Sequence, residues 1–260
     1  MKRILSSFAA AAVLAVLAAC ASTGDACNSK LNEPVPGADQ DPGYQKVTTP
    51  ALSQNFVQRI QEKKNQAQTQ GKNIQLVLVG DSITHFWEGG FFGGGGQNVY
   101  QKELSKYNPL NLGFSGDRTE NILHVIKNTG IFELIDPKVV TLMIGTNNFG
   151  MHESEPAATA EAIRLIVLAI KEKAPNAKIL LYGIFPRGDG LGDKCAATNE
   201  IIKDFADNKT VFYEDLTPKF TDASGNLIQG VMGFDRLHPA EKGYQIWAES
   251  IKAFADQYTK

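Results

Sequence analysis

The chain has 260 residues, 43% of them hydrophobic and 21% charged, with a formal net charge of −2. That balance excludes a disordered or fibrous protein, and the lack of a basic excess argues against a nucleic-acid partner. Three cysteines are too few for a fold built on disulfides. The length suits one large α/β domain or two small ones, and either buries a real core.

In chain order, Lys2 and Arg3 precede a small and apolar run from Ile4 to Ala19. The run is short for a membrane span and ends in small residues, the pattern of an export signal. Leu17-Ala18-Ala19-Cys20 resembles a bacterial lipobox. That resemblance implies a signal peptide over 1–19, lipidation of Cys20 and membrane attachment in the cell envelope. Ala21, where a retention signal would have Asp, favours the outer membrane or the cell surface. The plainer alternative is a secretory signal in which Cys20 is incidental. Residues 20–44 carry Pro34, Pro36, Pro42, Gly37 and Gly43 with little apolar content and read as a tether, leaving 45–260 as the folded domain.

Beyond the tether, Leu52, Phe56 and Ile60 suit an amphipathic helix ending near Gly71. Apolar strand-like runs follow at Ile74 to Val79, Leu110 to Gly113, Val139 to Ile144, Ile179 to Phe185 and, more weakly, Val211 to Tyr213. Helical periodicity separates them: Ile122, Val125 and Ile126; then Ala162 to Ile170, stopped before Pro175; then Ile201, Ile202 and Phe205. A last helix is expected from about Pro239 to Tyr258, with Tyr244, Trp247, Ile251 and Phe254 inward. Nearly continuous apolar strands alternating with helices predict a single-domain α/β/α sandwich around a parallel five-stranded sheet. Its active crevice should lie at the carboxyl ends of the strands.

Four motifs fall there. The first strand runs into Gly80-Asp81-Ser82-Ile83-Thr84, the second into Asn111-Leu112-Gly113-Phe114-Ser115-Gly116, and the third into Gly145-Thr146-Asn147-Asn148. Asp235-Arg236-Leu237-His238 stands ahead of the final helix. In order and spacing, from about Ile74 to Phe254, these blocks resemble the SGNH (GDSL-type) esterases and the flavodoxin-like fold they use. Trp87, Pro137, Phe185-Pro186-Arg187 and Gly243-Tyr244 agree with the group near platelet-activating-factor acetylhydrolase catalytic subunits.

The chemistry needs a nucleophile, a base, a group to orient the base and donors for an oxyanion. Ser82, at a strand-to-helix turn, suits the nucleophile. His238 suits the base, and Asp235, three residues earlier, suits the partner of its Nδ1. The resemblance implies oxyanion donors at the Ser82 N–H, the Gly116 N–H and the Asn147 amide. The expected activity is hydrolysis of short, chiefly acetyl, esters on carbohydrate. The alternatives are a lysophospholipase or lipase of the same family, and a glycan-binding surface lipoprotein without catalysis.

Each residue also has a plainer use. Ser82 can cap a helix, Asn147 or Asn148 can serve a turn, and Asp117 with Arg118 reads as a solvated helix start. Asn111 and Thr119 look like scaffold that hydrogen-bonds between loops. His85, His124 and His152 lack metal-ligand spacing, so neither metal nor organic cofactor is expected. The run Gly93 to Gly96 lacks a phosphate-loop ending and reads as a mobile surface loop. Phe91 and Phe92 beside it suit either a substrate wall or core packing. Cys27 and Cys195 would be free to bridge in an oxidising envelope, though nothing in their spacing requires it. No motif reports an oligomeric state.

Overall fold

The computed structural model describes residues 29–41, 43–90 and 95–259. The predicted leader, Cys20, Cys27, Phe91, Phe92, Gly93 and Gly94 lie outside them. Five strands form one parallel sheet: β1 Leu76–Gly80, β2 Leu110–Gly113, β3 Val139–Met143, β4 Lys178–Tyr182 and β5 Val211–Glu214. Their order is β2-β1-β3-β4-β5. The helices are α1 Tyr44–Thr48, α2 Gln54–Gln70, α3 Ser82–His85, α4 Gln97–Val99, α5 Thr119–Asn128, α6 Thr146–His152, α7 Pro156–Lys173, α8 Gly192–Ile202, α9 Thr217–Phe220 and α10 Glu241–Tyr258.

Strand alternation sorts the core into two layers. Val77, Val79, Val140, Leu142, Ile179, Leu181 and Val211 point to one face, covered by α2, α5, α7 and α8. Leu76, Leu78, Val139, Met143, Leu180, Tyr182 and Phe212 point to the other, under Trp87, Tyr244, Trp247 and Ile251. Burial on both faces is why these strands read as continuous apolar runs. Gly80 stands level with Gly113 on β2 and with Met143 on β3. The chain leaves β1 for β2 on one side and later adds β3 on the other, so the sheet switches direction beside the end of β1.

The edge strand β2 is closed by side chains. Arg59 of α2 donates from Nε to the Gly113 carbonyl at 2.7 Å, and Gln66 donates to the Pro109 carbonyl at 3.4 Å. These contacts occupy acceptors that would otherwise invite another strand.

Several boundaries differ from expectation. Leu52 is 41% exposed and precedes α2, because Ser53 caps the helix by accepting from the Phe56 N–H. β4 stops at Tyr182; Gly183 N still donates to Glu214 O of β5, but Asn199 then takes over the backbone of Ile184: its side chain accepts from Ile184 N and donates to Ile184 O. Pro239 is not in the first turn of α10; it bridges Met232, and Ala240 is the N-cap. The glycine run does not end as a surface loop: Gly96 is buried, and a Cβ there would lie 2.5 Å from Trp87 Cε3.

The predicted tether is corrected from Ser29 onward. Leu31, Val35 and Ala38 are buried in the main core. The Val35 N–H donates to Glu161 at 2.9 Å, and Arg164 donates to the Leu31 carbonyl at 3.0 Å. Glu161 and Arg164 are themselves a buried ion pair on α7. Three apolar anchors and this pair hold the segment to the domain, despite a composition that by itself cannot make a core.

Candidate active site

The crevice is built by the turns that follow β1, β2 and β3 and by the loop before α10. After Gly80 the chain enters α3, with Asp81 as N-cap accepting from the Ile83 N–H at 2.9 Å. Ser82 is therefore the first helical residue, where a backbone N–H has no acceptor within the helix. Its side chain is 7% exposed.

The loop at 233–238 is folded by its own hydrogen bonds. Gly233 N donates to His238 O, and Asp235 Oδ1 accepts from the Leu237 and His238 N–H groups at 3.0 Å each. This leaves Asp235 Oδ2 for His238 Nδ1, at 2.6 Å, and His238 Nε2 lies 2.8 Å from Ser82 Oγ. Burial tends to raise the Asp235 carboxyl, but the His238 side chain and the two backbone donors hold it below the ordinary aspartate value. The Phe86 ring packs on the imidazole with centroids 4.8 Å apart. From α10, the Tyr244 hydroxyl donates to the Ile83 carbonyl at 2.8 Å, tying the last helix to the turn that carries Ser82.

The expected oxyanion donors come from neighbouring turns. Gly116 has φ +79°, a left-handed conformation that favours glycine, and a Cβ there would point into open space. Backbone angle, not close approach, is what requires glycine there. Among the described residues its N–H has no backbone acceptor. Asn147 donates from Nδ2 to the Asp117 carbonyl at 2.8 Å, which leaves its second amide hydrogen. Asn148 is scaffold: its amide bonds Thr119 Oγ1 at 2.7 Å, and its carbonyl oxygen accepts from Thr119 N. Asn111 also ties loops together, donating to the Thr84 and His85 carbonyls.

Asp117 and Arg118 are not a solvated helix start. Asp117 is 7% exposed; Oδ1 accepts from Asn121, and Oδ2 is buried with no partner. Burial pushes its carboxyl up to about 7, against the Asn121 hydrogen bond. Asp81 is fully buried, with Oδ2 likewise unpartnered. Burial, only partly offset by the Ile83 N–H, pushes it up to about 7, and the Asp117 carboxyl adds to the rise. Arg118 bonds the buried Glu120 at 2.6 Å.

Two contributors are not among the expected site residues, although Arg187 stands in the Phe185-Pro186-Arg187 block that agrees with the resemblance. His85 Nδ1 accepts from the Ser115 N–H at 3.2 Å, and burial with nearby Arg59 lowers this imidazole to about 4. It is therefore neutral near pH 7 and pins the second turn. Arg187 donates from Nη1 to Thr146 O and Oγ1 at 2.9 and 2.7 Å, and forks onto Asp189. It holds the turn that presents Asn147. Cys195 is buried, and burial pushes its thiol up to about 12. Among the described residues, no three His, Cys, Asp or Glu side chains gather as a metal site.

A serine, a histidine and an aspartate in hydrogen-bonded sequence, at the strand ends of a parallel sheet, define the class of α/β serine hydrolases. The profile of the GDSL-like Lipase/Acylhydrolase family matches residues 78–246, so the chain belongs to that family and is a carboxylic ester hydrolase. The chain is 32% identical over 177 residues to the rat platelet-activating factor acetylhydrolase IB subunit alpha2, covering 66% of this chain and 72% of that protein. It is 29% identical over 182 residues to the human alpha1 subunit, covering 68% and 74%. A GDSL-like lipase from Bacteroides thetaiotaomicron superposes with a TM-score of 0.63 at 16% identity, over 78% of this chain and 98% of that one. A carbohydrate esterase family 3 protein from Talaromyces cellulolyticus gives 0.51 at 17% identity, over 71% and 97%.

Proposed function

We propose that this protein is a serine esterase that removes short acyl groups, chiefly acetyl, from carbohydrate. The observation that carries the reading is the continuous relay from Ser82 Oγ through His238 to Asp235, at 2.8 and 2.6 Å. Ser82 attacks the ester carbonyl carbon while His238 Nε2 takes its proton. The tetrahedral intermediate then expels the alcohol, which receives that proton. Water, activated by the same imidazole, attacks the acyl-enzyme and releases the acid. Asp235 stays a carboxylate and keeps the Nδ1–H tautomer. The Ser82 and Gly116 N–H groups and the Asn147 amide are the oxyanion donors, each worth about 3 kcal/mol in such sites.

The preference for acetyl draws support from the acetylhydrolase relatives, and the preference for sugar from the structural likeness to a carbohydrate esterase. A lysophospholipase or lipase would need a long apolar acyl groove. Comparing kcat/KM for 4-nitrophenyl acetate and dodecanoate separates the two: the acetate should be preferred at least tenfold, and a preference for dodecanoate overturns the reading. Attachment to the bacterial envelope through a lipid on Cys20 belongs to the same proposal and draws on residues 1–20. Radiolabelled palmitate should enter the wild-type protein and not the Cys20→Ser variant; equal labelling refutes the anchor.

A further inference from the structure

The arginines of this protein differ in their partners. Among the described residues, Arg59, Arg118, Arg164 and Arg187 each bond a carboxylate, on Glu88, Glu120, Glu161 and Asp189. Among these described arginines, Arg236 alone has no carboxylate of a described residue within ion-pair range and no side-chain hydrogen bond to one. Carboxylates on the same two loops are already taken. Both oxygens of Asp235 serve His238 and the backbone, and Asp189 is forked by Arg187.

This uncompensated cation is held in place. Arg236 has φ +56°, a conformation that Gly or Asn adopts far more readily than Arg. Its N–H donates to Gly233 O and its carbonyl accepts from Gly188 N, each at 3.0 Å. Its side chain lies across Gly188, where a Cβ would stand 2.4 Å from the Arg236 Nε. Gly188 is thus the seat of the guanidinium. The turn itself calls for a small residue, so the choice of arginine is explained by what its exposed head meets. Asp235 and His238 flank it in sequence, and His238 touches Ser82. Phe234, on the same loop, is 78% exposed. An exposed apolar residue and a cation on one loop are the kinds of group that place small polar ligands.

We propose that Arg236 is a specificity-determining residue that binds the carboxylate of an acidic sugar carrying the ester, such as a uronate or a sialate. A guanidinium recognises a carboxylate with two parallel N–H···O bonds, which a neutral sugar cannot match. The inference rests on the esterase reading for the position of the ester, but its test does not need turnover.

Calorimetry on the Ser82→Ala protein measures binding of O-acetylated trigalacturonate, 9-O-acetylated sialic acid and O-acetylated xylotriose without hydrolysis. At least one acidic ligand should bind about tenfold more tightly than the xylotriose, and added salt should shrink the difference. Which acidic ligand wins identifies the source of the carboxylate. In Ser82→Ala/Arg236→Asn, where Asn suits the left-handed turn, the preference should disappear; with Lys at 236 part of it should return. Equal affinity for acidic and neutral ligands, no measurable binding of either, or a preference that survives Arg236→Asn overturns the proposal. Hydrolysis of 4-nitrophenyl acetate by the wild-type protein reports separately on the esterase reading.

Discussion

Replacing Asp117 by Asn should stabilise this protein, and the gain should grow with pH. Asp117 is buried, with Oδ2 unpartnered, and its carboxyl is raised from 3.8 to about 7. The folded state therefore holds this proton more tightly than the unfolded chain does. The associated stability is fully present below pH 3.8 and is lost as pH rises through about 7. Three pKa units at about 1.4 kcal/mol each set an upper bound near 4 kcal/mol. Asn keeps the acceptor for Asn121 and removes the charge. Asp81, raised to about 7, acts in the same direction, while His85, lowered to about 4, acts oppositely between about 4 and 6.5. His85 is common to both proteins and cancels in their difference. The Asp117 charge also raises Asp81, so removing it relieves Asp81 in the same sense. Urea unfolding of both proteins at pH 5, 6, 7 and 8 reads the difference directly. The stability of Asp117→Asn relative to wild type should rise by about 1 kcal/mol per pH unit from 5 to 7 and then level off. A difference that does not change with pH, or a less stable variant at pH 8, refutes the reasoning.

Asp235→Asn should lower kcat for 4-nitrophenyl acetate by about 10³–10⁴ while the fold survives, because the amide favours the wrong imidazole tautomer; a loss below tenfold contradicts that role. Arg187→Ala releases the turn that presents Asn147 and should lower kcat by about tenfold to a hundredfold with little change in KM. Leu31→Ala, at a position 2% exposed, should cost about 3 kcal/mol in urea unfolding. A cost under about 0.5 kcal/mol would mean that residues 29–41 do not belong to the folded unit.

What the sequence discloses here follows the range of the interactions. Leu110 to Gly113 reads as a strand because an apolar run ends at a glycine, and β2 has those bounds. Ser82, Asp235 and His238 are legible because nucleophile, orienter and base occur at motif spacing, and the structure brings them into one hydrogen-bonded series. The packed segment at 29–41 is not legible. Its anchors are single apolar residues among prolines and glycines, and their partners Glu161 and Arg164 lie over a hundred residues away. Asp117 misleads for a related reason. An aspartate before a helix is normally solvated, but here the converging ends of β1, β2 and β3 and the adjoining turns cover it. Arg187 stands in a block that agrees with the resemblance, but its bond to Thr146 is not legible there, and no local pattern marks Asn199, which bonds Ile184.

The central claim is that Ser82 is the nucleophile of an esterase. Ser82→Ala should retain the thermal unfolding midpoint and circular dichroism of the wild-type protein while its rate on 4-nitrophenyl acetate falls by about 10³ or more. A folded Ser82→Ala protein that hydrolyses this ester within tenfold of the wild-type rate would contradict the account.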